Sequence, residues 1–185
     1  MSMHAQRKMT VDEFLVWAEG REGRWELYNG VPFNMAPERT RHIKVKYAVY
    51  MALLRALPMA AVPCHLLGEG AGVRISRHVM HIPDALVYCG PELPDDAIEV
   101  PNPVILVEVA SPSTRKFDDT VKRDAYFSLP SVHHYLIVDP EGLPVIHHGR
   151  QPDGTILKSI VTEGTPTLSP PPMELDVAEL LAIQQ

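Results

Sequence analysis

The chain has 185 residues, 45% of them apolar and 22% charged, which is typical of a globular protein and is interpreted as a single domain over 1–185. No apolar run approaches the ~20 residues that a membrane span needs, and the first ten residues lack the apolar stretch of a secretory signal. The formal net charge of −6 argues against a protein that grips nucleic acid through bulk positive charge.

The two cysteines, Cys64 and Cys89, lie in apolar sequence surroundings. Neither belongs to a CxxC pair, so a zinc site is not expected. Their number and setting predict buried free thiols and a cytoplasmic location, where thiols stay reduced.

The N-terminal part predicts a short helix followed by a hairpin. Residues 1–9 are expected to be flexible, and Thr10 with Glu13 forms a capping box that starts a helix ended by Gly20. Asn29-Gly30 is a strong signal for a two-residue hairpin turn.

Glu26 lies on the first arm of this hairpin. The period of two in a strand puts Glu26 and Tyr28 on one face and Trp25 and Leu27 on the other. By itself Glu26 is most simply a solvated strand residue, and a carboxylate of a functional site is the alternative.

The stretch from Glu38 to Leu57 predicts a long helix closed by Pro58. Its first half is basic, which indicates either a solvated face or a surface that contacts phosphates. His42 lies at the edge of the apolar stripe. The stripe residues are Ile43, Tyr47, Tyr50 or Met51, Leu54 and Leu57, and the basic group comprises Arg39, Arg41, His42, Lys44 and Lys46.

Two or three strands follow over 62–88, and the second notable carboxylate, Asp84, directly precedes the apolar strand 85–88. Pro83-Asp84 is also ordinary turn chemistry. The acidic, proline-rich stretch from Gly90 to Pro103 predicts an exposed loop.

The apolar run 104–107 predicts a buried strand that ends on Glu108. A carboxylate in that place is costly unless something pairs with it. A Ser-Pro-Ser-Thr turn leads into a helix from Asp118 to Leu129, in which Lys122 could simply pair with Asp118 four residues earlier. The inner stripe of this helix is predicted to be Val121, Ala125, Tyr126 and Leu129.

The C-terminal third predicts a strand over 133–138, a hairpin over 145–162 and a final helix capped by Asp176. The histidine pairs 133/134 and 147/148 lack metal-ligand spacing, and neighbours in a strand point to opposite faces. They are interpreted as structural or exposed.

If the strand that begins at Asp84 lies beside the strand that ends at Glu108, their carboxylates meet at one sheet edge. Glu26 and Lys122 could then reach in from flanking elements. Oxygen ligands of this kind suit Mg²⁺, which can position a water and stabilise charge on a leaving oxygen. The chemistry that fits best is metal-dependent phosphodiester hydrolysis.

The order of these motifs resembles the Uma2 family of restriction-endonuclease-like proteins, within the PD-(D/E)xK nuclease superfamily. The resemblance covers nearly the whole chain. It rests on the segments WELYNG (25–30), PDALV (83–87), VEVASPST (107–114), Asp118 through Lys122 to Tyr126, and Tyr135 to Asp139-Pro140.

The resemblance implies an α/β fold with a restriction-endonuclease-like mixed central sheet, flanked by helices and carrying an N-terminal and a C-terminal β-hairpin. It implies Asp84, Glu108 and Glu26 as ligands of Mg²⁺, with Mn²⁺ as a substitute. The usual superfamily lysine stands two residues after the second acid, where this chain has Ala110, and the resemblance moves it to Lys122. His42, Asp118 and Tyr126 match as substrate-contacting or supporting residues.

The leading hypothesis is therefore a Mg²⁺-dependent DNA endonuclease, expected to be a homodimer because cutting a duplex favours two sites. A catalytically inactive nuclease-fold protein that binds nucleic acid or a protein partner is the alternative, since a fold does not establish an activity. A metal-dependent phosphoesterase acting on nucleotides is a third.

Overall fold

The computed structural model describes residues 7–60, 62–111, 114–142 and 144–181. Helices flank a large central sheet, and a smaller sheet is built on the N-terminal hairpin. The strands are β1 (Arg24–Tyr28), β2 (Val31–Met35), β3 (Cys64–Gly68), β4 (Val73–Ser76), β5 (Val79–His81), β6 (Ala85–Cys89), β7 (Pro103–Val109), β8 (His134–Val138), β9 (Val145–Arg150), β10 (Ile156–Val161), β11 (Thr167–Leu168) and β12 (Met173–Glu174). The helices are α1 (Val11–Ala18), α2 (Thr40–Ala56), α3 (the consecutive segments Arg115–Phe117, Asp118–Lys122 and Arg123–Phe127) and α4 (Val177–Leu180).

The central sheet has six strands in the order β10-β9-β8-β7-β6-β3. Strands β7 and β8 are parallel and every other neighbouring pair is antiparallel. A parallel pair needs a crossover, and α3 supplies it. The mixed sheet flanked by helices confirms the predicted fold class, including the C-terminal hairpin β9–β10.

The smaller sheet, in the order β2-β1-β5-β4, carries the N-terminal hairpin. Asn29 (φ 52°) and Gly30 (φ 79°) both adopt positive φ, as the predicted two-residue turn requires. Helix α1 starts with the predicted Thr10–Glu13 capping box and packs on this sheet.

Helix α2 packs on the central sheet through a different face from the predicted one. Its buried residues are small, whereas the predicted stripe is largely exposed, with Tyr47 at 66% exposure. Small side chains let the helix axis approach the sheet closely. The resulting close packing stabilises the fold more than burial of the larger apolar face would. The buried residues are Val45, Ala48, Val49, Ala52, Leu53 and Ala56, and the exposed ones include Ile43, Tyr47, Met51 and Leu54.

Helix α3 contains a π turn at Asp118–Lys122, in which the Arg123 N–H donates to the Asp118 carbonyl five residues earlier. Its buried row is Asp118, Lys122 and Tyr126. Of the predicted inner stripe, Tyr126 is buried and Leu129 packs against the core, whereas Val121 and Ala125 are only half-buried. In a regular α-helix, positions four apart drift by about 40° around the axis because a turn holds 3.6 residues. One wider turn reduces that drift and keeps the three side chains facing the same site.

The two cysteines correct a further prediction. Cys64 and Cys89 face each other in register on β3 and β6 and form a disulfide, instead of the expected free thiols. Their sequence contexts predicted burial, but only the strand pairing shows that they are neighbours. Within the described residues, no helix is both long enough and apolar enough to cross a membrane.

The histidine pairs have structural roles. The Ser169 N–H donates to His134 Nε2 at 3.0 Å, and His134 Nδ1 lies 3.0 Å from His147 Nε2. His148 Nε2 contacts Asp119 Oδ1 at 2.8 Å.

Two sequence predictions fall partly outside the described residues. Of the N-terminus expected to be flexible, 1–6 lie outside, whereas the Met9 N–H donates to the Gly30 carbonyl at 2.9 Å. Pro112 and Ser113 of the Ser-Pro-Ser-Thr turn also lie outside.

Candidate active site

Asp84 and Glu108 lie at the same edge of the central sheet. Strands β6 and β7 are antiparallel neighbours, so the start of one adjoins the end of the other, and the Asp84 N–H donates to the Val107 carbonyl at 3.0 Å. The Val109 N–H donates to Asp84 Oδ2 at 2.6 Å. Asp84 is thereby fixed against the strand that carries Glu108.

Glu26 reaches this edge from the smaller sheet. Strand β1 pairs with β5, and the chain then passes through Ile82 to Asp84. The Ile82 N–H donates to Glu26 Oε1 at 2.8 Å, and His81 Nδ1–H donates to Oε2 at 3.2 Å. Glu26 is only 4% exposed, so its interpretation as a solvated strand residue was wrong.

Lys122 joins the two glutamates. Its Nζ lies 3.0 Å from Glu26 Oε1 and 2.9 Å from Glu108 Oε1. The Tyr126 hydroxyl donates to the same Glu108 oxygen at 2.8 Å. Lys122 thus pairs with carboxylates distant in sequence, instead of forming the simple pair with Asp118 four residues earlier.

The two glutamates differ in their surroundings. Burial opposes ionisation of Glu26, but Lys122, His81 and the Ile82 N–H together lower its pKa to about 2. For Glu108, burial raises the pKa to about 8, because Lys122 only partly offsets it and Asp84 adds repulsion. One lysine therefore keeps Glu26 ionised and leaves Glu108 prone to hold a proton.

The pKa values of three further groups in the site, Asp118, Lys122 and Tyr126, are also raised. Burial raises the pKa of Asp118 to about 6. Burial disfavours the Lys122 ammonium, but Glu108 and Glu26 more than compensate, so its pKa is raised. Burial and the nearby carboxylates raise the Tyr126 pKa, which keeps its hydroxyl protonated.

A cavity of about 830 Å³ opens over these groups. Its floor holds the carboxylates Glu26, Asp84, Glu108 and Asp118 together with Lys122, and His42 lines one side. Burial lowers the His42 pKa. The structure thus gathers all of the predicted site residues around one cavity, with Tyr126 reaching it through Glu108.

Asp84 also belongs to a second charged cluster. Lys46 Nζ lies 2.6 Å from Asp84 Oδ1, 2.5 Å from Glu38 Oε1 and 3.1 Å from Glu69 Oε2. Arg24 pairs with both Glu38 and Glu69.

The acidic residues whose oxygens lie closest together are not the three predicted metal ligands. Among the residues that the structure describes, the acidic group with oxygens within 4.8 Å of one another is Glu38, Glu69 and Asp84. Glu26 and Glu108 are held instead by Lys122. The set Asp84, Glu108 and Glu26 stays a prediction for the metal-bound protein.

Sequence reasoning gave no site role to His81, and it counted Lys46 only as part of a surface patch. His81 is fully buried, and its Nε2 has no hydrogen-bond partner within the described part of the chain. Burial lowers its pKa, which favours the neutral ring that donates to Glu26. A helical projection centred on the small residues Val45 and Val49 would have placed Lys46 at the buried boundary.

The family follows from a comparison with known proteins. Residues 11–183 match the family described as "Uma2: Putative restriction endonuclease". The chain belongs to the Uma2 family. This confirms the resemblance found in its motifs.

Two further proteins are similar to this chain. An uncharacterized Synechocystis protein, slr1290, is 24% identical over 148 residues, which cover 80% of this chain and 77% of the relative. A crystal structure described as that of "a putative nuclease belonging to DUF820" from Anabaena variabilis superposes with a TM-score of 0.71 at 15% identity. The match covers 94% of this chain and 97% of that one. At this identity the likeness shows a shared fold, and with the family description it supports a nuclease.

Proposed function

We propose that this Uma2 protein is a Mg²⁺-dependent endonuclease that hydrolyses phosphodiester bonds in DNA. The observation that carries the proposal is the buried group of Glu26, Glu108, Lys122 and Tyr126 at the floor of the cavity, directly beside Asp84. Its setting in a family and fold associated with nucleases supports the same chemistry.

The donor set suits a hard divalent cation. Carboxylate oxygens are the ligands that Mg²⁺ prefers. Burial raises the pKa values of Glu108 and Asp118, and the neighbouring carboxylates add to the rise, so a cation bound between the acids would favour their ionised forms. Asp84, Glu108 and Glu26 are the proposed ligands, and Mn²⁺ is expected to substitute.

When bound, Mg²⁺ would supply a positioned water and stabilise negative charge on the phosphate oxygens. Lys122 stays an ammonium because its pKa is raised, so it acts as a fixed positive charge and not as a general base. Tyr126 and Lys122 both donate to Glu108 Oε1 and hold that carboxylate toward the cavity. Asp118 and His42 line the path by which substrate would enter.

Plasmid nicking in Mg²⁺ or Mn²⁺ tests the proposal. Wild type should cleave only with metal, and Glu108→Ala and Lys122→Ala should both lose cleavage. Glu163→Ala is the control, because Glu163 is exposed and lies outside the cavity lining.

If the wild type binds DNA but does not cleave it with either metal, this result would contradict the endonuclease proposal and favour the non-catalytic alternative. The homodimer stays a prediction, which light scattering on the purified protein would test.

A further inference from the structure

The face of the β1–β2 hairpin that carries Glu26 is otherwise largely apolar. In the antiparallel register Glu26 pairs with Phe33 and Tyr28 pairs with Val31, so these side chains share one face. Tyr28, Phe33 and Met35 line the cavity above the carboxylates. The hairpin that delivers Glu26 therefore also supplies an aromatic wall.

This wall is exposed to an unusual degree. Phe33 is 61% exposed and Tyr28 is 42% exposed, although both are large and apolar. Phe117 of α3 packs edge-on against Tyr28, with ring centroids 5.4 Å apart, and extends the wall. Strand β2 is an edge strand, where exposed apolar side chains are a liability unless they bind something.

A second part of the cavity lining, where α2 begins, carries the two arginines Arg39 and Arg41. The first turn of α2 has no acidic residue and no side-chain cap, so its N–H groups and dipole add to the positive potential. On this side Arg41 pairs with the exposed Glu141, an ion pair that an incoming phosphate would have to replace, and Glu38 pairs with Lys46 and Arg24.

One ligand chemistry matches a cavity lined by both aromatic rings and arginines. Unpaired nucleotides offer bases that stack on aromatic rings and phosphates that pair with arginines. A duplex keeps its bases stacked inside and is held mainly through phosphates over a broad basic surface. The net charge of −6 disfavours that second mode.

We propose that the cavity takes single-stranded or locally unpaired DNA, with bases stacked on Phe33 and Tyr28 and phosphates directed to Arg39 and Arg41. This inference deepens the proposed function, because it places the phosphodiester backbone over Glu26, Glu108 and Lys122. The binding preference itself does not require that the protein cleave DNA.

Fluorescence anisotropy in EDTA tests binding apart from cleavage. The probes are a labelled 12-mer of thymidine, the same strand paired with its complement, and an abasic strand of equal length. Wild type should bind the thymidine strand more tightly than the other two. Phe33→Ala and Tyr28→Ala should weaken that binding about ten-fold, as loss of a stacked base predicts, and should leave abasic binding unchanged.

Leu157→Ala is the matched control, because Leu157 is an exposed apolar residue (56%) on the C-terminal hairpin, outside the cavity lining. It should bind all three probes as wild type does. Phe33→Trp should retain tight binding, since it keeps an aromatic face.

Equal affinity of wild type for all three probes, or equal losses on the thymidine and abasic strands in Phe33→Ala, would overturn the inference. The plasmid nicking assay separates the two proposals. Metal-dependent nicking that persists in Phe33→Ala, without any single-strand preference in wild type, would sustain the endonuclease and remove the stacking site. Binding that depends on the aromatic residues, without any cleavage, would support the stacking site and contradict the endonuclease proposal.

Discussion

Two lysines, the buried Lys122 and the half-buried Lys46, lie beside the site and have different surroundings. Lys122 is held by Glu26 and Glu108 beneath the open cavity. Lys46 is held by Asp84, Glu38 and Glu69 beside it.

The two clusters differ in charge balance. Around Lys122 stand the carboxylates of Glu26, Glu108 and Asp118, with no second lysine or arginine forming an ion pair with them in the described part of the chain. Around Lys46 the carboxylates also contact Arg24. Burial raises the Glu108 pKa, with only partial compensation from Lys122, whereas in the other cluster hydrogen bonds from Lys46 and Arg24 outweigh burial and lower the Glu38 pKa.

We therefore expect the excess of carboxylates around Lys122 to mark the metal site better than the closely spaced acidic oxygens around Lys46. The acids whose oxygens lie closest together already have their cations, and a buried acid next to too few cations is the typical sign of a functional site. Asp84 belongs to both clusters, which makes variants on the two sides directly comparable.

The nicking rate should show the largest difference between variants of the two clusters. Lys122→Met removes the fixed positive charge over the proposed reacting phosphate and should lower the nicking rate by about 10²–10³-fold. Lys46→Met should lower it by less than about ten-fold, since Asp84 keeps its hydrogen bond from the Val109 N–H. Single-turnover nicking at saturating Mg²⁺ measures both, and equal losses would contradict the division of roles.

Stability without metal should show the next largest difference. Lys122→Met leaves Glu26 and Glu108 buried with their main cation removed, and the free energy of unfolding should fall by about 3–5 kcal/mol. Lys46→Met should cost about 1 kcal/mol, because Arg24 still pairs with Glu38 and Glu69. Urea unfolding in EDTA gives both values, and a larger loss in Lys46→Met would reverse the comparison.

Metal-induced stabilisation tests which acids bind the ion. At 100 times its Kd, Mg²⁺ should stabilise the wild type by about 2.7 kcal/mol, which raises Tm by about 5–10 °C. Asp84→Ala should abolish the rise and Glu108→Gln should strongly reduce it. Glu69→Gln is the control and should keep it, so loss of the response in Glu69→Gln and Asp84→Ala, but not in Glu108→Gln, would place the ion in the group Glu38, Glu69 and Asp84.

The pH dependence of stability should have opposite signs for Glu108 in one cluster and Glu38 in the other. Burial raises the folded-state Glu108 pKa from 4.5 to about 8, so the folded protein keeps a proton that the unfolded chain releases. Its contribution to stability is therefore lost as pH rises from 4.5 to 8, by at most about 1.4 kcal/mol per pH unit. The Glu38 pKa is lowered, so the stability it contributes is present above pH 4.5 and is lost on acidification.

Urea unfolding in EDTA between pH 5 and 7 checks the first sign. The stability of the wild type should fall more steeply with pH than that of Glu108→Gln, which has no proton to lose at this position. Identical slopes would show that Glu108 does not keep a proton in the folded protein over this pH range.

Features that depend on neighbouring residues could be predicted from the sequence. The Thr10 capping box and the Asn29-Gly30 turn form within a few residues of chain, and their backbone preferences are local. The end of β7 at Glu108 and the placement of Lys122 one helix later likewise follow from the linear order of apolar and polar residues. These features were enough to identify the family and to propose a set of site residues.

Only the tertiary structure decided which surfaces and which distant charges meet. The buried face of α2 depends on how closely a helix of small side chains approaches the sheet, a quantity that the apolar pattern of the helix does not contain. The Cys64–Cys89 disulfide, the Lys46–Asp84 pair and the His81–Glu26 hydrogen bond each join residues at least 25 positions apart. Their existence rests on strand register and helix packing, because burial and charge pairing are settled by the neighbours that the whole fold brings together.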